Sequence, residues 1–317
     1  MRDAVREPGE LERLLELPAG SLSENARRGH PFPLLVPLSF VARMRKRDRN
    51  DPLLLQVLPT RAEDTVSPGF GADPLAEQVL ARHGSIQKYP GRALLITTGA
   101  CPVHCRYCFR REFPYADQAA SRDDWQPALA AIRATPGVRE VILSGGDPLS
   151  LSNRRLARLI TRLESLRHVE TLRIHTRYPI VLPARVDDGL LALLEATRLQ
   201  TVIVLHANHP AEIDDSVAAA ARALKSATHY LLNQSVLLRG INDDVEALIA
   251  LSERLRGCGV VPYYLHLLDR VAGAAHFEVA EDEAVALVAS MRRRAPGYLV
   301  PTLVRDVAGE LSKTPFL

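Results

Sequence analysis

The sequence predicts an α/β fold, a partial or full (β/α) barrel that follows an α-helical, loop-rich N-terminal region. From residue 93 onward, short apolar and β-branched runs alternate with amphipathic stretches of helical period, which is the pattern of βαβ units and a parallel sheet. Before that point, prolines are frequent and polar stretches separate short helical patterns. We therefore predict a helical region over residues 1–92 and the barrel over residues 93–317.

The barrel prediction depends on the number and order of these elements. Seven runs are predicted as strands, over residues 93–98, 138–145, 170–176, 201–207, 230–237, 261–267 and 298–304. Five stretches are predicted as helices, over residues 123–134, 153–166, 212–227, 242–257 and 280–294. Several of these stretches begin with Asn or Asp, residues that cap helix N-termini. Six or seven units in ~210 residues favour a barrel over a doubly wound sheet, which periodicity alone leaves open.

Charge and hydropathy limit the class of protein. The chain has 317 residues, and 40 basic against 37 acidic residues leave a net charge of +3, which is too small to indicate a nucleic-acid partner. The N-terminus carries charges throughout, and no apolar run reaches the length of a signal peptide or a membrane span. We therefore predict a cytoplasmic protein without a membrane partner, in which clustered cysteines indicate metal or redox chemistry rather than disulfides.

Three of the four cysteines lie within eight residues, directly after the first predicted strand of the barrel. Cys101, Cys105 and Cys108 have the spacing C-x3-C-x2-C. A structural zinc site takes four ligands, and although the fourth cysteine, Cys258, is distant in sequence, His104 could supply a nitrogen. The other interpretation is a [4Fe–4S] cluster held by three thiolates, which leaves one iron open to a small molecule.

Further unusual residues follow other predicted strands. Gly145, Gly146 and Asp147 come at the end of the second strand, and His206 ends the fourth. In barrels and in doubly wound sheets alike, ligands bind at the carboxyl ends of the parallel strands. The sequence therefore predicts a site at that end of the sheet, next to the cysteines.

A lysine near the C-terminus indicates a second cofactor. Lys313 follows an apolar strand and a glycine-containing loop, so it could reach the mouth of the barrel. Lys88, Tyr89 and Arg92 precede the first barrel strand, where two cations and a hydroxyl could hold a phosphate. A lysine with a phosphate-binding group is the minimum for pyridoxal phosphate bound as a Schiff base.

These motifs resemble those of the radical S-adenosylmethionine (SAM) enzymes. In that family C-x3-C-x2-C follows the first strand of the barrel, and an aromatic residue such as Tyr107 usually precedes the last cysteine. The stretch SGGDP at 144–148 resembles the second motif of the family, whose strand edge holds the methionine amino group. The resemblance implies a radical-SAM barrel with a [4Fe–4S] cluster and S-adenosylmethionine as cofactors.

Within these enzymes the chain is similar to the lysine 2,3-aminomutase family over nearly its whole length. The similarity is carried by DPLLLQVLP, CRYCFRREFPYA, LRIHTRYPIVLPARV, LLNQSVLLRGIND and PYYLHLLDRVAGAAHF. The chain stops just after Lys313, like the short members that make β-lysine for elongation factor P. Longer members continue with a segment used in subunit assembly. The resemblance therefore implies an isomerase that moves the α-amino group of L-lysine to the β-carbon with the help of pyridoxal phosphate.

The resemblance also implies roles for individual residues. Cys101, Cys105 and Cys108 would hold the cluster, and Lys313 would bind pyridoxal phosphate covalently. Tyr89 and Arg92 match phosphate-binding positions, whereas longer relatives have an arginine in place of Lys88. The residues matched to S-adenosylmethionine are Gly145, Gly146, Asp147, His206 and Gln234. Arg110 matches the residue that binds the carboxylate of the substrate lysine, and Asp269 and Asp306 match the residues that bind its distal ammonium.

Several alternatives stay open at this point. A catabolic lysine 2,3-aminomutase, unrelated to translation, would share the same chemistry. An aminomutase acting on glutamate is not expected to place two acids around the distal end of its substrate. A non-enzymatic protein could use the cysteines and His104 for a structural metal. The resemblance further implies an electron donor such as flavodoxin, and a link to elongation factor P and its ligase.

Overall fold

The sheet of this protein is nine-stranded, and its strand order follows the chain from β1 to β9. The computed structural model describes residues 4–22, 32–81, 84–115 and 124–316. Seven consecutive strands, β2 to β8, pair in parallel. Two-residue strands, β1 (Ser85–Ile86) and β9 (Thr314–Pro315), add antiparallel edges to β2 and β8. Within the described residues the architecture is that of a partial (β/α) barrel, which confirms the predicted fold class.

All seven predicted strands are present. They are β2 Arg92–Thr98, β3 Glu140–Gly145, β4 Thr171–Thr176, β5 Gln200–His206, β6 Tyr230–Val236, β7 Val261–His266 and β8 Thr302–Arg305. The last prediction, 298–304, is wrong at its start, because Gly297–Leu299 forms a 3₁₀ helix. Pro301 stands between that helix and β8, and a proline has no N–H to donate to a strand ladder.

The five predicted helices are also present; the second begins at residue 153 as predicted, and the other four begin one to three residues later than predicted. The five helices are α5 Gln126–Arg133, α6 Asn153–Glu164, α9 Asp215–Ala227, α10 Val245–Gly257 and α11 Glu281–Arg294. Residue 123, the predicted start of the first of them, lies outside the described residues. The acids at the predicted starts of two helices stand before the first turn: Asp214 accepts from Val217 N at 2.9 Å and Asp244 from Ala247 N at 2.8 Å. Each such cap stabilises its helix by about 1 kcal/mol.

Two further barrel helices were not predicted, α7 Tyr178–Val181 and α8 Asp188–Ala196. The sequence of α8, DGLLALLEA, is apolar on most of its faces, so it lacks the polar stripe that marks an amphipathic helix. In the structure Leu190 and Leu194 are buried, and Asp187 caps the first turn. Helices α5 to α10 pack on the outer face of the sheet, where the largest cluster of buried side chains lies.

The N-terminal part consists of short helices and loops, as predicted. The α-helices are α1 Pro8–Leu14, α2 Leu38–Val41, α3 Pro52–Leu55 and α4 Glu77–Leu80; residues 1–3, 23–31 and 82–83 lie outside the described part. Leu11, Phe40 and Leu53 are fully buried in a cluster that also contains Val103 of the cysteine loop and Val181 of α7. Because this cluster joins the N-terminal part to the barrel, the division between residues 92 and 93 stays a prediction. No helix in the described ranges is long and apolar enough to cross a membrane.

Candidate active site

One cavity of about 350 Å³ opens at the carboxyl ends of the parallel strands. Every residue that the sequence predicts for the site lines it: Lys88, Tyr89, Arg92, Cys101, Cys105, Cys108, Arg110, Gly145, Gly146, Asp147, His206, Gln234, Asp269, Asp306 and Lys313. The structure therefore brings together residues that are separated by more than two hundred positions in the chain. Such a concave, partly apolar cavity with convergent polar groups is the usual form of a small-molecule site.

The alternation of side chains along the strands explains which residues reach the cavity. In β4, Leu172 and Ile174 are buried against the helices, whereas Arg173 and His175 are half-buried and line the cavity. In β6 the half-buried positions include Gln234, which also lines the cavity. Since successive side chains of a strand point to opposite faces, each strand contributes to the core on one side and to the site on the other.

The cysteine loop is held by the N-terminal part of the chain. The guanidinium of Arg106 donates to Glu63 through Nε at 2.9 Å and Nη2 at 2.5 Å, and both side chains are almost completely buried. Arg111 Nη2 donates to the same carboxylate. In the loop itself, Cys108 N donates to Cys105 O at 3.0 Å. The positions of the three cysteines therefore depend on a buried ion pair with a residue of the helical region.

The donor set fits an iron–sulfur cluster better than a single metal ion. In the part of the chain that the structure describes, no three His, Cys, Asp or Glu side chains are grouped to hold one ion. A cluster has no such requirement, because each thiolate binds a different iron. His104, the alternative zinc ligand, donates from Nδ1 to Pro33 O at 2.7 Å. Burial raises the pKa of the Cys101 thiol, and that of Cys108 to about 11, so these thiolates need a metal to stay ionised.

The predicted second motif lies against the cysteine loop. Gly145 has φ +118°, and a Cβ on Gly146 would lie 2.3 Å from Ala100 O, so only glycine allows these two segments to approach so closely. Asp147 is buried, and burial raises its pKa to about 6. Its oxygens accept from Leu149 N, Thr176 Oγ1 and Arg177 N at 2.7–3.0 Å. The Asp147 carboxylate therefore joins the ends of β3 and β4, and its predicted role toward a cofactor stays a prediction.

Lys313 lines the same cavity, in a cluster around Asp306. The Lys313 ammonium donates to Asp306 Oδ2 at 2.5 Å, and Tyr89 OH donates to Oδ1 at 2.6 Å. Lys88 donates to the same Oδ1. Burial opposes ionisation of Asp306, but the Lys313 charge and these hydrogen bonds outweigh it and lower the carboxyl pKa. Arg92 stands over the Tyr89 ring at 5.2 Å. The predicted phosphate-binding residues and the predicted cofactor lysine are therefore neighbours.

Five buried polar atoms of residues that line this cavity have no hydrogen-bond partner within the described ranges. They are Arg177 Nε, Asp269 Oδ1 and the Nε2 atoms of His175, His206 and His266. Burial, followed by the Asp306 charge, raises the pKa of Asp269 to about 7. Burial lowers the pKa of His206 to about 3 and that of the other two histidines well below its usual value, so all three are neutral at pH 7. Because buried polar groups normally have partners, these atoms indicate a polar ligand.

Arg110 is fixed in place by an acid that the sequence reasoning missed. Its Nε and Nη2 donate to the two oxygens of Glu77 at 2.7 and 3.1 Å, and Nη1 donates to Ser144 Oγ at 2.8 Å. Both charged side chains are less than a tenth exposed. Glu77 lies in α4, 33 positions before its partner, and no local spacing links the two residues.

Arg177 was missed as well, although it stands within the stretch LRIHTRYPIVLPARV. Its guanidinium donates to Cys105 Sγ at 2.7 Å and to Gln56 Oε1 at 2.6 Å. A single arginine after a strand carries no signal by itself. Its importance appears only when folding places it beside a cysteine 72 positions earlier.

Comparison with known proteins shows the family of the chain. A model of the Radical SAM superfamily matches residues 95–251. The chain is 46% identical to L-lysine 2,3-aminomutase of Escherichia coli (strain K12), across 99% of this chain and 92% of that protein. It is 44% identical to the protein of the same name from Haemophilus influenzae, with 99% and 93% covered.

Two further similarities are more distant. The L-lysine 2,3-aminomutase of Clostridium subterminale is 37% identical, across 85% of this chain and 65% of that protein. A solved radical SAM methyltransferase from Sphaerobacter thermophilus is 17% identical, with a TM-score of 0.48 over 70% of this chain and 68% of that one. On the identities to the curated relatives, the chain belongs to the lysine 2,3-aminomutase family of the radical SAM superfamily, in the short branch with the E. coli and H. influenzae proteins, and is an isomerase of the aminomutase type.

Proposed function

We propose that this aminomutase converts L-lysine to β-lysine with pyridoxal phosphate bound at Lys313, and that the product serves the modification of elongation factor P. The observation that supports the proposal most is the shared cavity, which is lined by three cysteines, a lysine, an arginine and two acids. A radical enzyme whose substrate has a carboxylate at one end and an ammonium at the other needs all of these groups around one cavity. The names of the relatives agree with this substrate.

The residues at the two ends of the cavity fit the cofactors. Cys101, Cys105 and Cys108 would hold the cluster and leave one iron for S-adenosylmethionine. Lys313 would hold pyridoxal phosphate, with its phosphate near Tyr89 and Arg92. When bound, S-adenosylmethionine at the cluster would supply the radical chemistry, and pyridoxal phosphate would supply the carbonyl chemistry for the substrate amine.

Arg110 is suited to the carboxylate of the substrate. A guanidinium has five N–H groups, and the contacts with Glu77 and Ser144 use one on Nε, one on Nη1 and one on Nη2. One N–H on each Nη is left for a substrate, and guanidinium N–H groups bind carboxylates through charge-assisted hydrogen bonds. Glu77 therefore orients the arginine without occupying the N–H groups that the substrate needs.

Asp269 and Asp306 are suited to the distal ammonium of lysine. Asp269 Oδ1 is buried without a partner in the described structure, and an ammonium would supply the missing donor. Asp306 already accepts from Lys88, Tyr89 and Lys313, so it positions the amine of Lys313 as well. Two half-buried acids disfavour glutamate, because a third carboxylate beside them would be repelled.

The three neutral histidines help to exclude water from the cavity. His175, His206 and His266 bring no charge to the cavity at pH 7, since burial lowers their pKa values. They offer ring nitrogens to polar ligands while their carbons help to keep water out. Exclusion of water protects reactive intermediates and strengthens the charged contacts of Arg110 and Asp269.

The proposal is tested by anaerobic incubation of the reconstituted enzyme with L-lysine, S-adenosylmethionine, pyridoxal phosphate and dithionite. We expect β-lysine, and we expect its formation to stop when any one of the last three components is omitted. L-glutamate in place of L-lysine serves as the matched control and should give no β-amino acid. Cleavage of S-adenosylmethionine with no β-lysine formed, or equal turnover of glutamate, would contradict the proposed substrate.

The link to translation is the finer part of the proposal. It is supported by the high identity to relatives of the short branch and implies a cytoplasmic enzyme with a flavodoxin-type electron donor. A catabolic enzyme differs in the fate of its product. The enantiomer of β-lysine, and whether the ligase of elongation factor P loads it, are measured by chiral chromatography and mass spectrometry of the factor. A product that the ligase rejects would favour the catabolic alternative.

A further inference from the structure

We infer that Arg177 is a positioning residue of the cluster, which holds the thiolate of Cys105 and makes the cluster easier to reduce. The inference rests on the cluster of the family and does not depend on lysine as the substrate. Arg177 follows β4 and is only 5% exposed. Its Nη1 donates to Cys105 Sγ at 2.7 Å and to Tyr107 OH at 2.5 Å.

The second terminal nitrogen of the Arg177 guanidinium is bound by residues of other segments. This nitrogen, Nη2, donates to Gln56 Oε1 at 2.6 Å and to Glu212 Oε2 at 3.1 Å. The other oxygen of Glu212 accepts from Gln56 Nε2 at 3.1 Å and from Asn208 N at 2.9 Å. Since Glu212 is fully buried, this ion pair cannot swing into solvent. Arg177 therefore presents Nη1 to the sulfur in one orientation.

The main chain of Arg177 ties the same contact to the second sequence motif. Arg177 N donates to Asp147 Oδ2 at 2.7 Å, and Asp147 also accepts from Thr176 at the end of β4. One residue thus connects the loop of Cys105 to the segment after β3. A displacement of Arg177 would move the loop of Cys105 and the segment after β3 together, and such partners beyond the ligands are what orient a metal site.

The three cysteines differ in this respect. Within the described part of the chain, the sulfur of Cys105 accepts a hydrogen bond from a charged side chain, whereas no such bond is seen to Cys101 or Cys108. Reduction adds a negative charge to the cluster, so a buried cation beside one ligand favours the reduced form. Hydrogen bonds to the sulfurs and nearby charge are known determinants of cluster potential. Glu212 opposes the effect, because its negative charge lies on the other side of the guanidinium.

This arrangement predicts opposite effects for two substitutions that each remove one charge. Arg177→Gln removes the positive charge and should make the midpoint potential of the reconstituted enzyme more negative. Glu212→Gln removes the negative charge and should make it less negative. Arg177→Lys keeps the charge but loses the two-pronged geometry, so its potential should lie between those of the wild type and Arg177→Gln. Arg177→Gln should also hold its iron about 10–100-fold more weakly in competition with a chelator.

The measurement is a redox titration of the anaerobic holoenzyme followed by electron paramagnetic resonance of the reduced cluster, with iron and sulfide contents. The matched control is Arg185→Gln, which removes another mostly buried arginine charge that binds Leu149 O and Leu151 O, and it should leave potential and iron affinity unchanged. An unchanged potential in both Arg177→Gln and Glu212→Gln, or shifts of the same sign, would overturn the inference. If Arg177→Gln fails to fold, an unchanged potential in Glu212→Gln alone overturns it.

Discussion

The cysteine end and the lysine end of the cavity are built in different ways. The cysteine end lies under the N-terminal part, and its ion pairs, such as Arg106 with Glu63, have side chains that are 0–1% exposed. The lysine end is assembled from segments next to two-residue edge strands, and the side chain of Lys313 is 22% exposed. Short edge strands are weakly held. The cysteine end is therefore part of the folded core, whereas the lysine end can change without disturbing that core.

The largest expected effect is at the cysteine end. Cys105→Ala removes one of three ligands, and we expect complete loss of S-adenosylmethionine cleavage because a cluster held by two thiolates is not retained. Pyridoxal phosphate should still give its protein-bound absorbance, since Lys313 is untouched. The measurements are iron content, 5′-deoxyadenosine formation and the absorption spectrum.

Cys258→Ala is the matched control for that experiment. Cys258 is buried next to Arg254 O and Leu255 O, away from the cavity lining, so iron content should be unchanged. Loss of pyridoxal phosphate binding together with the cluster in Cys105→Ala would break the comparison, because the two ends would then not be independent.

The second prediction concerns Lys313. Lys313→Ala should reduce β-lysine formation by about 10²-fold or more, because a misplaced reacting group alone costs that much, while iron content stays at the level of the wild type. Product chromatography and iron analysis measure the two quantities. Lys225→Ala, at an exposed position of α9, is the control. Full turnover in Lys313→Ala would rule out its role in holding the cofactor.

The third prediction tests Glu77 as the residue that orients Arg110. Hydrogen bonds between charged groups contribute about 1.5–3 kcal/mol, so Glu77→Gln should raise the KM for lysine by about 10–100-fold. The midpoint potential of the cluster should not move. Glu112→Gln changes a more exposed acid on the loop of Arg110 and should leave KM unchanged. An equal rise of KM in both variants would mean that the loss of negative charge, and not the orientation of Arg110, is responsible.

The smallest effect is a pH dependence. Asp269 must be ionised to bind an ammonium, and its pKa is raised to about 7. Affinity for lysine should therefore be highest above pH 7 and fall up to tenfold per unit below it. The Asp269→Asn variant should bind lysine more weakly, and its affinity should no longer fall below pH 7. Persistence of that fall in the variant would assign it to another group, such as Asp147, whose pKa burial raises to about 6.

The elements that could be predicted from the sequence are those with a local signal. Strands and amphipathic helices repeat with a period, the cysteine spacing is compact, and Gly145 and Gly146 stand directly after a strand. Helix α8 was missed because it lacks a polar stripe. The pairs Glu77–Arg110 and Arg177–Cys105 were missed because they join distant segments, and strands β1 and β9 because two residues are too short to show a pattern.

The central claim is that the cluster and Lys313 act on one substrate in one cavity. The most direct test uses L-lysine deuterated at the β-carbon, with pyridoxal phosphate, S-adenosylmethionine and dithionite, and mass spectrometry of the 5′-deoxyadenosyl products. The account predicts deuterium at the 5′ carbon together with β-lysine formation. Cleavage of S-adenosylmethionine without any deuterium transfer from lysine would contradict it.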